Sequence, residues 1–361
     1  MSNSADGSLE GVIAARTSLA HVDGRRGVAI VRGYSLADLA RHRTYEDCAH
    51  LVLHGELPTN DSDRRAFSAA LAAGALLTDA EERIARQLGD ALPKPEALAA
   101  ALPLADDAAS RASDPIARAV RLLGRVPSVC AAVTGVPIPP PAWPYAHRAL
   151  AALGSPREDV ASRRAFEVLL SLESEHGLSA STFACRVAAS SGAGAGVSLA
   201  AGAATLSGPR HGGATALALD LLGRAAARND SAALVQEAFR NGERLPGFGH
   251  RIYKVADPRV APMRDAASLM VDRGLIDVAE SLRIAAEPVF GPKGVHANID
   301  LYGAALLAAL GVAREQFVAA FAVGIACGWL AHWVEQSRTG RLIRPDSTYD
   351  GPAERAVPIP A

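Results

Sequence analysis

The sequence predicts an all-α protein that carries one short β-hairpin near its N-terminal end. From about Ser35 onward the chain is a succession of Ala- and Leu-rich segments with apolar residues three and four apart, the spacing of an amphipathic helix. Only one stretch before it alternates as a strand does. No internal repeat recurs at a fixed period, which argues against a helical solenoid.

Taken in order, TSLAHVDGRRGVAIVRGYSL places Asp23-Gly24 between two apolar-alternating arms, a pattern that favours a hairpin. YEDCAHLVLHGELP and FSAALAAGALLTDAEERIARQL then read as helices. The Pro-rich VPIPPPAWP, Val136 to Pro144, cannot be helical inside and links two helices of one domain, since helical patterning resumes on both sides. FAVGIACGWLAHWVEQ, Phe321 to Gln336, begins as a nearly unbroken apolar run. Its apolar part, Phe317 to Ala331, is shorter than the roughly 20 residues that span a bilayer, and His332, Glu335 and Gln336 follow at once. A core helix is the expected reading, with no membrane role.

A chain of 361 residues, 49 % hydrophobic, can bury a large core and is expected to form two domains. Thirty-seven basic residues against 38 acidic ones leave a formal net charge of −1, without the broad positive field of a nucleic-acid binder. Cys48, Cys130, Cys185 and Cys327 lie far apart and form no CxxC pair, so neither a metal site nor a disulfide framework is expected, and a reducing cytoplasm fits. MSNSADGSLEG at the start lacks the basic and apolar regions of a secretory signal.

Polar, Gly-flanked clusters recur between Glu173 and Asp350 at the ends of helices, as loops converging on one cleft would. His211 in SGPRHGGA follows a chain break at Gly208-Pro209 and precedes two glycines that permit close backbone approach. Alone, it fits an exposed loop histidine as well as a ligand-facing one. His250 in GFGHR has Arg251, Lys254 and Arg259 close behind, a cationic concentration suited to an anionic substrate. Asp300, where the apolar helix ANIDLYGAALLAAL begins, is either an N-terminal cap or a carboxylate base held partly away from water. His176 in EHGLSAST fits a structural histidine equally well, and Arg341 and Arg344 in GRLIRP fit surface charges. GAGAG, Gly192 to Gly196, has Val197 where GxGxxG needs glycine, and GxxxxGK[ST], HExxH and GxSxG are missing, so dinucleotide, kinase, zinc-protease and hydrolase readings lack support.

In this order, VDGRRG, RGYSL, HGELPT, EHGLSAST, SGPRHGGA, GFGHRIYKVADPR, NIDLYG, GWLAHWVEQ and RLIRP resemble the citrate synthase family, which includes the 2-methylcitrate synthases, over nearly the whole chain. The resemblance implies an almost entirely helical dimer. Its large domain would comprise residues 1–212 and 323–361 and its small domain residues 213–322, the two closing over a cleft. It implies acyltransferase chemistry of the EC 2.3.3 type, a Claisen condensation of acetyl-CoA or a short acyl-CoA with oxaloacetate, then thioester hydrolysis. No cofactor is implied beyond coenzyme A as part of the substrate. By resemblance, Asp300 abstracts a proton from the acyl methyl carbon, His211 donates to the forming enol oxygen and His250 polarises the ketone. Arg259, Arg344 reaching into the partner subunit's site, and His176 would hold the keto acid, and Lys254 and Lys293 would lie near CoA.

The sequence departs from the family at Ile325, where an arginine three residues before the glycine of GWxAH usually binds a substrate carboxylate. Losing that partner would cost roughly 3–5 kcal/mol. Ser179 replaces a usual asparagine, Glu173 a histidine, Arg210 a leucine and Asp346 an arginine. Arg210, beside His211, is a candidate replacement cation. Three readings follow: use of oxaloacetate with Arg210 or another cation compensating, use of a 2-keto acid with an apolar group facing Ile325, or a silent dimeric homologue.

Overall fold

The computed structural model describes residues 12–357, so the N-terminal segment read above as lacking a signal lies outside the described residues. Seventeen α-helices and one three-stranded antiparallel sheet are present among them. In the sheet, β1 (Ala20–Asp23) pairs with β2 (Val28–Val31) in the register Ala20↔Val31 to Asp23↔Val28, and β2 pairs with β3 (Tyr34–Ser35). The connection runs over residues 24–27, with Asp23 Oδ1 accepting from the backbone N–H groups of Arg25 and Arg26 at 3.0 and 3.1 Å. Helices begin where short polar side chains accept orphan N–H groups, as at Thr44, Asn60, Asp114 and Ser179. The Pro-rich segment is the expected loop between helices Pro115–Thr134 and Tyr145–Ala152.

The run that ends in GWLAHWVEQ is part of a helix, Phe317–Thr339, at the centre of the molecule. It packs against helices Pro115–Thr134, Val160–Glu173, Ala180–Ser190 and Ala195–Leu206. Length does not exclude a membrane span in the way expected above, because the helical stretch Arg314–Arg338 is long and apolar enough to cross a bilayer by length and composition alone. What makes it a core helix is its surroundings: 94 % of its apolar window is buried inside the protein. Trp329 and His332 are fully enclosed.

Two glycines let this helix approach the C-terminal end of helix Val160–Glu173. A Cβ on Gly328 would lie 2.5 Å from the carbonyl oxygen of Ser174, and one on Gly324 would lie 3.2 Å from Cβ of Glu173. The close approach sets Ile325, the next residue, at the edge of the cleft that Glu173 also lines. Beneath it, His332 bridges Glu175, at 3.2 Å from Nε2, and Arg186, at 2.9 Å from Nδ1. That buried chain anchors the turn leading to His176.

Candidate active site

A cleft of about 1390 Å³ opens between the hairpin tip, the 173–182 turn, the 206–217 loop, the 245–259 loop and the start of helix Ile299–Ala309. His176, Arg210, His211, His250, Lys254, Arg259, Asp300 and Ile325 all line it. Arg344 and Lys293 are not among its lining residues. Arg344 lies in the extended segment after the last helix, its side chain 76 % exposed and 3.6 Å from Asp346. Lys293 Nζ sits 4.1 Å above the ring of Phe239.

Asp300 is not the cap of its helix. Asn298 is: its Oδ1 accepts the backbone N–H of Asp300 at 3.0 Å, leaving the Asp300 carboxyl free to turn toward the cleft. There Thr215 Oγ1 donates to Asp300 Oδ1 at 2.7 Å. Burial raises the affinity of this carboxyl for a proton, and the Thr215 bond and the Arg259 charge pull it back down. A carboxylate tuned in this direction suits a general base.

Asn298 also joins two parts of the site. Its Nδ2 donates to the carbonyl of Gly249 at 2.7 Å, and its N–H donates to the carbonyl of Gly247 at 2.9 Å. Gly247 has φ +81°, a left-handed conformation that disfavours a side chain, and a Cβ there would meet Leu301 Cβ at 2.8 Å. The GFG stretch is therefore glycine-rich for backbone reasons, and it delivers His250.

Hydrogen bonds fix the tautomers of both catalytic-candidate histidines. Nε2 of His211 accepts the backbone N–H of Ser181 at 3.3 Å, so a neutral ring carries its proton on Nδ1. Burial lowers the pKa of His211 and favours that neutral form. Nδ1 of His250 accepts the backbone N–H groups of Ile252 and Tyr253 at 3.1 and 3.2 Å, which places the His250 proton on Nε2. Burial and then the Arg259 charge push His250 down to about 4, so it is a neutral donor at physiological pH. Nε2 of His250 lies 3.5 Å from Arg259 Nη2, and two donors this close converge where a ligand oxygen would accept from both. His176, also depressed by burial, meets the Tyr253 hydroxyl at 2.7 Å.

Arg259 itself is held by two carboxylates. Its Nε and Nη2 donate to the two oxygens of Asp257 at 3.1 and 2.9 Å, and its Nη1 donates to Glu173 Oε1 at 3.0 Å. Ser181, Thr215, Asp257 and Asn298 were not singled out as candidates from the sequence. Ser181, Asp257 and Asn298 stand inside quoted motifs, but their roles depend on which groups of other segments face them.

The sequence model described as "Citrate synthase, C-terminal domain" matches residues 8–346. The chain belongs to the citrate synthase family. Citrate synthase of Haloferax volcanii is 33 % identical over 369 residues, covering 97 % of each chain. A citrate/2-methylcitrate synthase of Bacillus subtilis is 30 % identical over 362 residues, covering 95 % of this chain and 96 % of its own. Among solved structures, citrate synthase from Pyrobaculum aerophilum superposes with a TM-score of 0.87 at 28 % identity, over 98 % of this chain and 94 % of that one. The Thermoplasma acidophilum citrate synthase, solved as a ternary complex with carboxymethyl coenzyme A and oxaloacetate, gives 0.83 at 28 % identity over 98 % of each. The helical fold expected from the sequence is thus that of the citrate synthases, and the chain is a transferase by family.

Proposed function

We propose that this citrate synthase family member condenses acetyl-CoA with oxaloacetate and hydrolyses the resulting thioester, yielding citrate and coenzyme A. The observation that carries the reading is the disposition of protons around one cleft: a base, Asp300, and two neutral donors, His211 Nδ1–H and His250 Nε2–H, each set by a named hydrogen bond. Asp300 takes a proton from the acetyl methyl group while His211 donates to the thioester oxygen as it gains negative charge. The enol carbon attacks the ketone carbon of oxaloacetate, whose oxygen accepts from His250. Water then cleaves the thioester, and the thiol of coenzyme A leaves.

In this reading His176 and Arg259 hold the keto acid, and Arg210, exposed on the same cleft, supplies a cation that Ile325 does not. Lys254, on the cleft lining, and Lys293, outside it, would meet CoA. Residues 1–212 with 323–361 and residues 213–322 form the two bodies that close over the substrates and exclude water. Arg344, extended and exposed, reaches the site of a second copy in a homodimer. All four cysteines are free and buried, which fits the reducing cytoplasm.

The test is release of free thiol from acetyl-CoA, with propionyl-CoA in parallel. Turnover with oxaloacetate supports the reading. Release only with other 2-oxo acids would overturn the keto acid assignment, and no release with any pair would favour a silent homologue.

A further inference from the structure

Two carboxylates already engage three of the five N–H donors of Arg259. Asp257 occupies Nε and Nη2, and Glu173 occupies Nη1. A substrate carboxylate that is to bridge Nη1 and Nη2 from the cleft therefore competes with Glu173 for Nη1. Asp257 is two residues away on the same loop, makes the bidentate contact and also accepts the Arg259 backbone N–H at 3.0 Å. Glu173 makes a single contact from another element, the end of helix Val160–Glu173, and lines the cleft directly.

We infer that Glu173 guards Arg259: its carboxylate holds the place on the guanidinium that the keto acid's carboxylate takes, and the substrate enters by displacing it, Glu173 taking up one proton from solvent as it leaves the ion pair. The inference rests on the proposed binding of a keto acid at Arg259. It assigns Glu173 a positioning and specificity role, distinct from the base and the donors.

The surroundings of Glu173 explain why it leaves as a neutral acid. The side chain is 7 % exposed. The central helix faces it with Gly324 and Ile325, neither charged, so no second cation is offered from that side. From the 245–259 loop come Arg259, Asp257, Tyr253 and His250, and from helix Ile299–Ala309 comes Asp300. On its own segment, Glu175 is turned to His332 and His176 is a neutral ring. Three of these neighbours are carboxylates, Glu175 among them turned away to His332, and one is a cation already shared. Burial lifts Glu173 up to about 7 even with Arg259 in place, and Arg259 is what holds it from rising further. Losing Arg259 to a substrate carboxylate leaves protonation as the only way to keep a buried Glu173 beside Asp257 and Asp300.

Calorimetric titration of the protein with oxaloacetate in two buffers of different ionisation enthalpy, from pH 6 to pH 9, counts protons taken up, and thiol release over the same range reads KM. About one proton bound per oxaloacetate at pH 8 is expected, together with a KM that rises about tenfold for each pH unit above 7. In Glu173→Gln, which cannot ionise, both dependences flatten. Turnover with oxaloacetate but no proton uptake, or an unaltered pH profile in Glu173→Gln, would overturn the inference and leave the condensation reading intact. Binding with uptake but without turnover would do the reverse. The wild-type measurements decide the matter even if Glu173→Gln fails to fold.

Discussion

The Thr215 hydroxyl donates to Oδ1 of Asp300 at 2.7 Å, and it is the largest influence drawing the proton affinity of that buried carboxyl back down. Removing it in Thr215→Val leaves burial unopposed by this bond. The pKa of Asp300 then rises, and a base must be ionised to act, so the acid limb of the kcat/KM profile moves to higher pH. A limb that stays in place would separate Asp300 from the proton abstraction. Asp300→Asn should lower kcat by about 10²–10⁴.

His211 donates from Nδ1 because the Ser181 backbone holds Nε2. His211→Ala should lower kcat about 10²–10³, as loss of an oxyanion donor does. Ser181→Ala keeps the backbone N–H and loses only the hydroxyl at 2.9 Å, so its effect on kcat should be within about threefold. A loss in Ser181→Ala as large as in His211→Ala would mean that the hydroxyl, and not the backbone, sets the ring.

Asn298 serves two partners, and two substitutions distinguish them. Asn298→Ala removes both the cap and the donor to Gly249 and should cost about 1–3 kcal/mol, read by denaturant unfolding. Asn298→Ser keeps a capping acceptor for the Asp300 N–H but is too short to donate to Gly249. It should recover most of the stability yet retain a raised KM, because the loop bearing His250 is no longer tied to the helix bearing Asp300.

Acid should destabilise the protein through its neutral histidines. His250, at about 4, sits below the ordinary value near 6.5, and burial depresses His176 and His211 in the same direction. The unfolded chain takes up these protons first, so the stability they contribute is whole above about pH 6.5 and is lost as pH falls toward 4. Urea midpoints at pH 7, 6, 5 and 4 should fall in step, and His250→Asn should flatten the slope.

Gly24 lies at the hairpin tip, where a Cβ would be 2.1 Å from the carbonyl oxygen of Ile252 while its own carbonyl accepts Lys254 N–H at 2.9 Å. Gly24→Ala should push the tip off the 250–256 loop, cost about 1–3 kcal/mol and raise KM for both substrates. An unchanged melting temperature and KM would show that the hairpin does not brace the loop.

The sequence alone determined the helical class, the hairpin at Asp23-Gly24, the Pro-rich loop and the company of His211, His250 and Asp300, because periodicity, turn chemistry and ordered motifs are properties of neighbouring residues. The burial of the central helix was legible from its polar end, though not from its length: its 23 residues are enough for a bilayer, and only packing against the helices around it makes it a core. The tertiary structure decided what contact alone can decide. It made Asn298 rather than Asp300 the cap, set the tautomers of His211 and His250 by backbone groups from other segments, and brought Glu173 onto Arg259 across 86 positions of chain. Sequence showed Ile325 as a lost cation and Glu173 as a separate exchange. Their adjacency depends on how closely two glycines let one helix approach another, and no local pattern encodes that distance.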